Sequence, residues 1–208
     1  HNFTNEGGVN NTIRFLKNIS GLWIVQECRR IWEQSGKSYD WEKLMALAME
    51  ANALTSFIDP DHPDFGPPGD MPTRIRDFCK KTSQPIPDTE GEIIRTALES
   101  LALKCRYVLN QLEDALDKTL GDIHIVGGGI HNTLLCQFIA SATGRTVLAG
   151  PAEATAMGNL LMQAMAKGQI GSLNELRDVV RASTEIKTYE PVNTSAWNGA
   201  FEKFQKLI

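Results

Sequence analysis

The sequence has no apolar run of the ~18 residues that a membrane helix needs. It also has no cluster of Lys and Arg: 21 basic residues are outnumbered by 25 acidic ones, for a net charge of −4. That balance argues against nucleic acid or an anionic membrane as the partner. The four cysteines (Cys28, Cys79, Cys105, Cys136) form no CxxC pair, and each lies in or near an apolar helical pattern. A disulfide framework is therefore not expected; reduced, mostly buried thiols in a cytoplasmic protein are. The opening His1-Asn-Phe-Thr-Asn-Glu-Gly-Gly8 lacks a basic region followed by an apolar one, so it is no signal peptide. It also lacks a starting Met and reads like the middle of a domain, so a fragment of a longer chain is expected. There is no internal repeat and no low-complexity segment.

What is present is a sizeable core: 42% hydrophobic and 22% charged over 208 residues, enough for one large domain. Residues 5–11 read as a polar loop. Ile13, Leu16, Ile19, Leu22, Trp23, Ile31 and Trp32 predict a helix from about Thr12 to Gln34, interrupted by Gly21. On such a helix Asn18 and Gln26 stand about 12 Å apart along the axis and roughly 80° around it. They either border one cleft or share a wet face. Ser38-Tyr-Asp40 opens a shorter helix. Residues 59–72 carry five prolines and read as a rigid loop. Its Asp59, Asp61, His62 and Asp64 match no metal-ligand spacing, so a solvated loop is preferred and no metal site is expected. Another short helix spans Thr73 to Lys81. The longest, about Thr89 to Thr119, starts with Thr89 and Glu92 at capping-box spacing and carries a long apolar stripe.

The stretch with the most chemical content is Ile123-His-Ile-Val-Gly-Gly-Gly-Ile-His-Asn-Thr-Leu-Leu135. A short β-branched run meets Gly127, Gly128 and Gly129, then Asn132 or Thr133 caps a helix ending at Thr143 and Gly144. A strand passing through a glycine turn into a helix N-terminus brings bare N–H groups and the positive helix end together, which suits a phosphate or a ribose. Thr146–Ala149 is a second strand. After Gly150-Pro151 comes a helix from Glu153 to Lys167, whose small Ala154, Ala156 and Gly158 permit close approach. Ser172 and Glu175 repeat the capping-box spacing, and a last amphipathic helix, Ser195 to Leu207, carries Trp197, Phe201 and Phe204. Strands alternating with helices make this an α/β chain. Only two or three strands are legible, so further strands are expected ahead of His1.

The P-loop fails here, because no Lys stands at the helix start to meet the β/γ-phosphates. The dinucleotide fingerprint is weakened, since Asn132 takes the place of its third Gly. A third template fits. Val126-Gly-Gly-Gly-Ile-His-Asn132, Gly144-Arg-Thr-Val147 and Glu153-Ala-Thr-Ala-Met-Gly158 closely resemble the C-terminal domain of the FGGY family of carbohydrate kinases, in the actin-like ATPase (ribonuclease H-like) superfamily. The resemblance runs over nearly the whole chain, residues 1–208. Asn5-Glu-Gly-Gly8, Leu16-Lys-Asn-Ile-Ser-Gly-Leu-Trp23, Phe57-Ile-Asp-Pro60 and Pro85-Ile-Pro87 narrow it to the family's L-rhamnulose kinases.

The resemblance implies transfer of the γ-phosphoryl of Mg-ATP to the 1-hydroxyl of L-rhamnulose in rhamnose catabolism, with ATP and Mg2+ as cofactors and this chain as the nucleotide-binding half. It implies that Asn18 and Gln26 contact the nucleotide, that the backbone of Gly128, flanked by Gly127 and Gly129, meets it, and that Asn132 borders the adenine. Glu153 and Ala154 to Gly158 would pack behind that pocket. The family's catalytic Asp and its phosphate-binding Gly-Thr turn lie before the matching segment. No catalytic residue is therefore assigned, and this chain alone is expected not to turn over substrate and to bind nucleotide weakly. Ile139 and Thr143 stand where some members carry paired cysteines, so no disulfide is expected there. A free sheet edge would invite a homodimer. The rivals are another sugar kinase of the family, a non-catalytic nucleotide-binding module and, further off, an NAD-binding oxidoreductase.

Overall fold

The computed structural model describes residues 2–208; His1 lies outside them. The chain divides into two compact units. One runs up to Leu120 and takes in Ser195–Ile208; the other is Gly121–Thr194.

The first unit opens on an antiparallel hairpin, β1 (Thr4–Gly7) with β2 (Ile13–Leu16), in register Thr4↔Leu16 to Gly7↔Ile13. Asn10 and Asn11, at φ 53° and 60°, turn the chain between them, a conformation Asn tolerates better than most residues. This corrects two expectations: residues 5–11 are not a loop throughout, and Thr12–Leu16 is not helical. Ile13 and Leu16 have helical spacing, but Ile13 and Phe15 alternate equally well. Pairing with a segment six to twelve positions upstream settles the choice, and periodicity cannot see that. An irregular segment, residues 17–22, follows. The helix proper, α1, is Trp23–Gln34. Gly21 precedes it, so the expected cost of a mid-helix glycine does not arise.

Helix α1 buries Ile24, Val25, Glu27, Cys28 and Trp32. Next comes α2 (Trp41–Glu50), whose first turn is capped by the Asp40 carboxylate accepting from the Lys43 amide at 2.7 Å. The proline-rich loop contains one tight turn, Pro63–Phe65, and leads into α3 (Met71–Lys81), capped by Asp70. Helix α4 (Glu90–Leu116) has the reciprocal capping box: Thr89 Oγ accepts from the Glu92 amide and the Glu92 carboxylate accepts from the Thr89 amide. Its first half, Gly91 to Lys104, is the spine of the core. The C-terminal α8 (Thr194–Phe204) contributes buried Trp197, Ala200, Phe201 and Phe204.

The second unit holds a three-stranded sheet of β3 (Ile123–Ile125), β4 (Val147–Ala149) and β5 (Lys187–Tyr189), in that order. β3 and β4 are parallel, with α5 (Thr133–Thr143) as the crossover; β4 and β5 are antiparallel. The α5 helix buries Cys136 and Phe138 to Ala142 and stops at Gly144, φ 67°. The antiparallel β5 was not anticipated: the three residues Lys187-Thr-Tyr189 are too few to carry a periodic signal. Helices α6 (Ala154–Ala166) and α7 (Leu173–Ser183) complete the unit. Ser172 caps α7, accepting from the Glu175 amide, while the Glu175 carboxylate accepts from the Gly171 amide. Among the described residues no helix is long and apolar enough to cross a membrane, and all four cysteines are free.

Candidate functional site

The turn after β3 is built from backbone. Val126 is still extended, at φ −130°. Gly127 then takes φ 78°, a conformation an L side chain resists, and a tight turn over Gly127–His131 delivers the chain to α5. Asn132 is buried and closes the helix start: its Oδ1 accepts from the Leu135 amide at 2.9 Å. The Asn132 amide in turn donates to the Gly129 carbonyl at 3.2 Å.

The C-terminal ends of the two parallel strands are tied together here. The Gly127 amide donates to the Pro151 carbonyl at 3.0 Å, and the Gly150 amide to the Ile125 carbonyl at 2.9 Å. Gly150 is also forced by space: its φ is 140° and an added Cβ would lie 2.9 Å from the Glu185 carbonyl. The Gly150-Pro151 dipeptide was legible as a turn; its bond to the glycine turn was not.

Gly127 and Gly150 are thus needed by the protein's own geometry. Gly128 is different. A Cβ added there would meet nothing within 4 Å. An open glycine turn at the start of a capped helix, beside parallel strand ends, is an arrangement that can hold an anionic or hydroxyl-bearing ligand. These residues therefore fit a nucleotide. Burial pushes the nearby Cys136 thiol up to about 11.

The other predicted residues lie in the first unit. Asn18 is exposed in the irregular segment 17–22, and Gln26 is exposed in the first turn of α1. They do not share a helix, so the separation computed for one does not apply. Ala154, Ala156 and Gly158 also depart from expectation. Helix α6 buries no residue, and a Cβ at Gly158 would meet nothing within 4 Å, so the predicted close approach behind a pocket is not made.

The proline-rich loop is not simply solvated. Lys104, 7% exposed, donates to Asp59 Oδ1 at 2.8 Å and lies 3.1 Å from Asp61 Oδ2. His62 Nδ1 accepts from the Asp64 amide. Glu27 is a buried carboxylate that the sequence did not flag. It takes both Arg30 donors at 2.7 Å and the Gly69 amide at 2.6 Å. The hydrogen bonds from Arg30 hold it down to about 2. Only the partners' positions, 3 and 42 residues away, reveal these groups as structural. A cavity of about 100 Å³ in the first unit lies among Ser56, Pro85, Thr96 and Glu99.

Residues 1–167 match the FGGY family of carbohydrate kinases, C-terminal domain. The whole chain is 41% identical to a rhamnulokinase of Bacteroides thetaiotaomicron over 207 residues, covering 42% of that protein. It is 40% identical over 208 residues to a rhamnulokinase of Bacillus subtilis, again 42% of that protein. The chain thus spans about two-fifths of the length of the curated relatives it matches. Among solved structures it is similar to xylulose kinases from Rhodospirillum rubrum (TM-score 0.61, 16% identity, 94% of this chain and 38% of that one) and Lactobacillus acidophilus (TM-score 0.66, 13% identity, 99% and 41%). At those identities the likeness is one of fold, and it is the actin-like ATPase fold that the glycine turn led us to expect.

Proposed function

The chain belongs to the FGGY family of carbohydrate kinases, in its C-terminal domain, and on that premise we propose that it is the nucleotide-binding half of a kinase that phosphorylates L-rhamnulose at its 1-hydroxyl. The observation that carries this reading is the turn at Gly128, which leaves open space where a side chain would stand. The rhamnulokinases at about 40% identity support the choice of sugar.

On this reading Mg-ATP supplies the γ-phosphoryl group. The residues proposed to touch the nucleotide are Asn18, Gln26, Gly127, Gly128 and Gly129. Asn132, its oxygen committed to the Leu135 amide, holds the helix start in place beside the turn and borders the adenine. Phosphoryl transfer depends on positioning and charge stabilisation more than on covalent chemistry, so a rigid backbone cradle is a sufficient contribution from this half. The whole enzyme is cytoplasmic, as a sugar kinase supplied with ATP must be.

The test is a calorimetric titration of the chain with Mg-ADP, repeated on Gly128→Val. A Cβ at this position meets no protein atom, so the variant folds as the parent does, yet its side chain fills the cradle. ADP affinity is expected to fall at least about tenfold. Equal affinity in both proteins would refute the cradle. For the sugar, a chimera in which this chain replaces the matching part of the Bacillus subtilis enzyme should phosphorylate L-rhamnulose in preference to other ketoses and polyols.

A further inference from the structure

Asn18 sits on the one irregular stretch between β2 and α1, and three long-range bonds hold that stretch. Lys17 Nζ donates to Gln111 Oε1 at 2.8 Å, the Ser20 amide donates to Asp61 Oδ1 at 2.7 Å, and Trp23 Nε1 donates to the Phe65 carbonyl at 3.1 Å. The middle bond is made by the backbone two residues beyond Asn18, and it is part of a larger arrangement. Asp61 turns its second oxygen to Lys104 Nζ, 3.1 Å away, and Lys104 also reaches Asp59 Oδ1 at 2.8 Å. The ammonium is 7% exposed and lies 5.7 Å from the Tyr107 ring centre. Burial disfavours its charge, but the two carboxylates outweigh burial and the net shift is upward. One buried cation on α4 therefore fixes two loop carboxylates, and one of these fixes the backbone two residues beyond Asn18.

Such a cluster is costly to assemble, and hydrophobic residues can replace buried ion pairs without loss of stability. Its geometry suggests a use beyond stability. The Asp61 carboxylate is bidentate in function: one oxygen is oriented by Lys104, the other receives the Ser20 amide. We infer that Asp61 and Lys104 act as a positioning clasp for the segment that presents Asn18, so that affinity for an adenine nucleotide depends on two residues that do not touch it. This rests on the reading of Asn18 as a nucleotide contact.

The experiment is a double-mutant cycle on the chain, read by calorimetry with Mg-ADP after circular dichroism has established folding. Asn18→Ala and Asp61→Ala are each expected to weaken ADP by about tenfold. The double variant should be no weaker than Asn18→Ala alone, because the clasp acts through Asn18. Asp61→Asn keeps an oxygen for the Ser20 amide and should recover most of the loss. If Asn18→Ala weakens ADP while Asp61→Ala does not, the clasp is overturned and the nucleotide reading stands. If Asn18→Ala binds as the parent does, the reading of Asn18 falls and the clasp with it. Additive losses in the double variant also overturn the clasp, since they mean that Asp61 acts on affinity by another route. Should Asp61→Ala not fold, hydrogen exchange on the parent decides: a Ser20 amide exchanging at the unprotected rate would overturn the proposal.

Discussion

Gly91 lies in the first turn of α4, where that helix passes closest to α2. A Cβ built at Gly91 falls 2.3 Å from the Leu47 carbonyl oxygen, 2.7 Å from its carbon and 3.2 Å from Leu47 Cβ. Carbon atoms in contact sit at roughly 3.5 Å or more, so Gly91→Ala requires one helix to move by about 1 Å. Two bonded anchors resist that movement. Arg95 Nη1 donates to the Ala48, Met49 and Ala51 carbonyls at 3.0, 3.2 and 3.0 Å, holding the end of α2 against α4. Lys37 also pairs with Glu90 at 2.6 Å, next to the substitution. Helix propensity alone favours the substitution by up to about 1 kcal/mol. Overpacking against backbone costs about 1–3 kcal/mol, and backbone cannot change rotamer to escape. The expected net result is a loss of about 2 kcal/mol, or about 4–8 °C in Tm. The assay is urea unfolding followed by tryptophan fluorescence. It reports this unit alone, because Trp23, Trp32, Trp41 and Trp197 all belong to it. Gly199→Ala is the control. It lies in α8 with nothing within 4 Å of an added Cβ, and should gain about 0.5–1 kcal/mol. If Gly91→Ala is as stable as the parent at an unchanged m-value, the α2–α4 contact is not rigid and the reasoning fails.

Further outcomes follow from the same structure. Thr89→Ala removes the capping oxygen of α4 and should lower stability by about 1 kcal/mol in the same urea assay. Glu27 is held near 2 by Arg30 and the Gly69 amide, below its ordinary 4.5. Its contribution is therefore present above about pH 4.5 and lost as the pH falls towards 2; Glu90 and Glu92, also shifted down, add in the same sense. Glu27→Gln should be less stable at neutral pH by about 1.5–3 kcal/mol and lose less between pH 5 and 2, as acid titration of fluorescence will show. Burial pushes Cys79 and Cys136 up to about 11, Cys105 to about 12 and Cys28 further still. Ellman's reagent at pH 8 should thus leave all four thiols largely unreacted in the folded chain and titrate them in guanidinium.

Wherever the deciding physics is local, the sequence could be read directly. Thr89 and Glu92 three apart, Asp40 before Trp41, Gly144 after Thr143 and the apolar stripe of α4 each fix an element through bonds and contacts within one or two turns of chain. The glycine turn between β3 and α5 belongs with them, since φ 78° at Gly127 and the Asn132 cap involve neighbours only. The position of the candidate site was therefore visible in the sequence.

What the sequence did not reveal depends on partners far along the chain. Residues 13–16 suit a helix or a strand equally, and β1 makes the choice by pairing. Asp59, Asp61 and Lys104 are 45 and 43 residues apart, and nothing near any of them says that they meet. Gly91 looks like a poor helix residue until Leu47 is laid against it. The three adjacent glycines are alike in composition, yet one is required by dihedral angle and another is backed by open space. Local propensity specifies which elements form and where they start. Only packing decides which of their atoms run out of room, which charges are enclosed, and which turns stay open for a ligand.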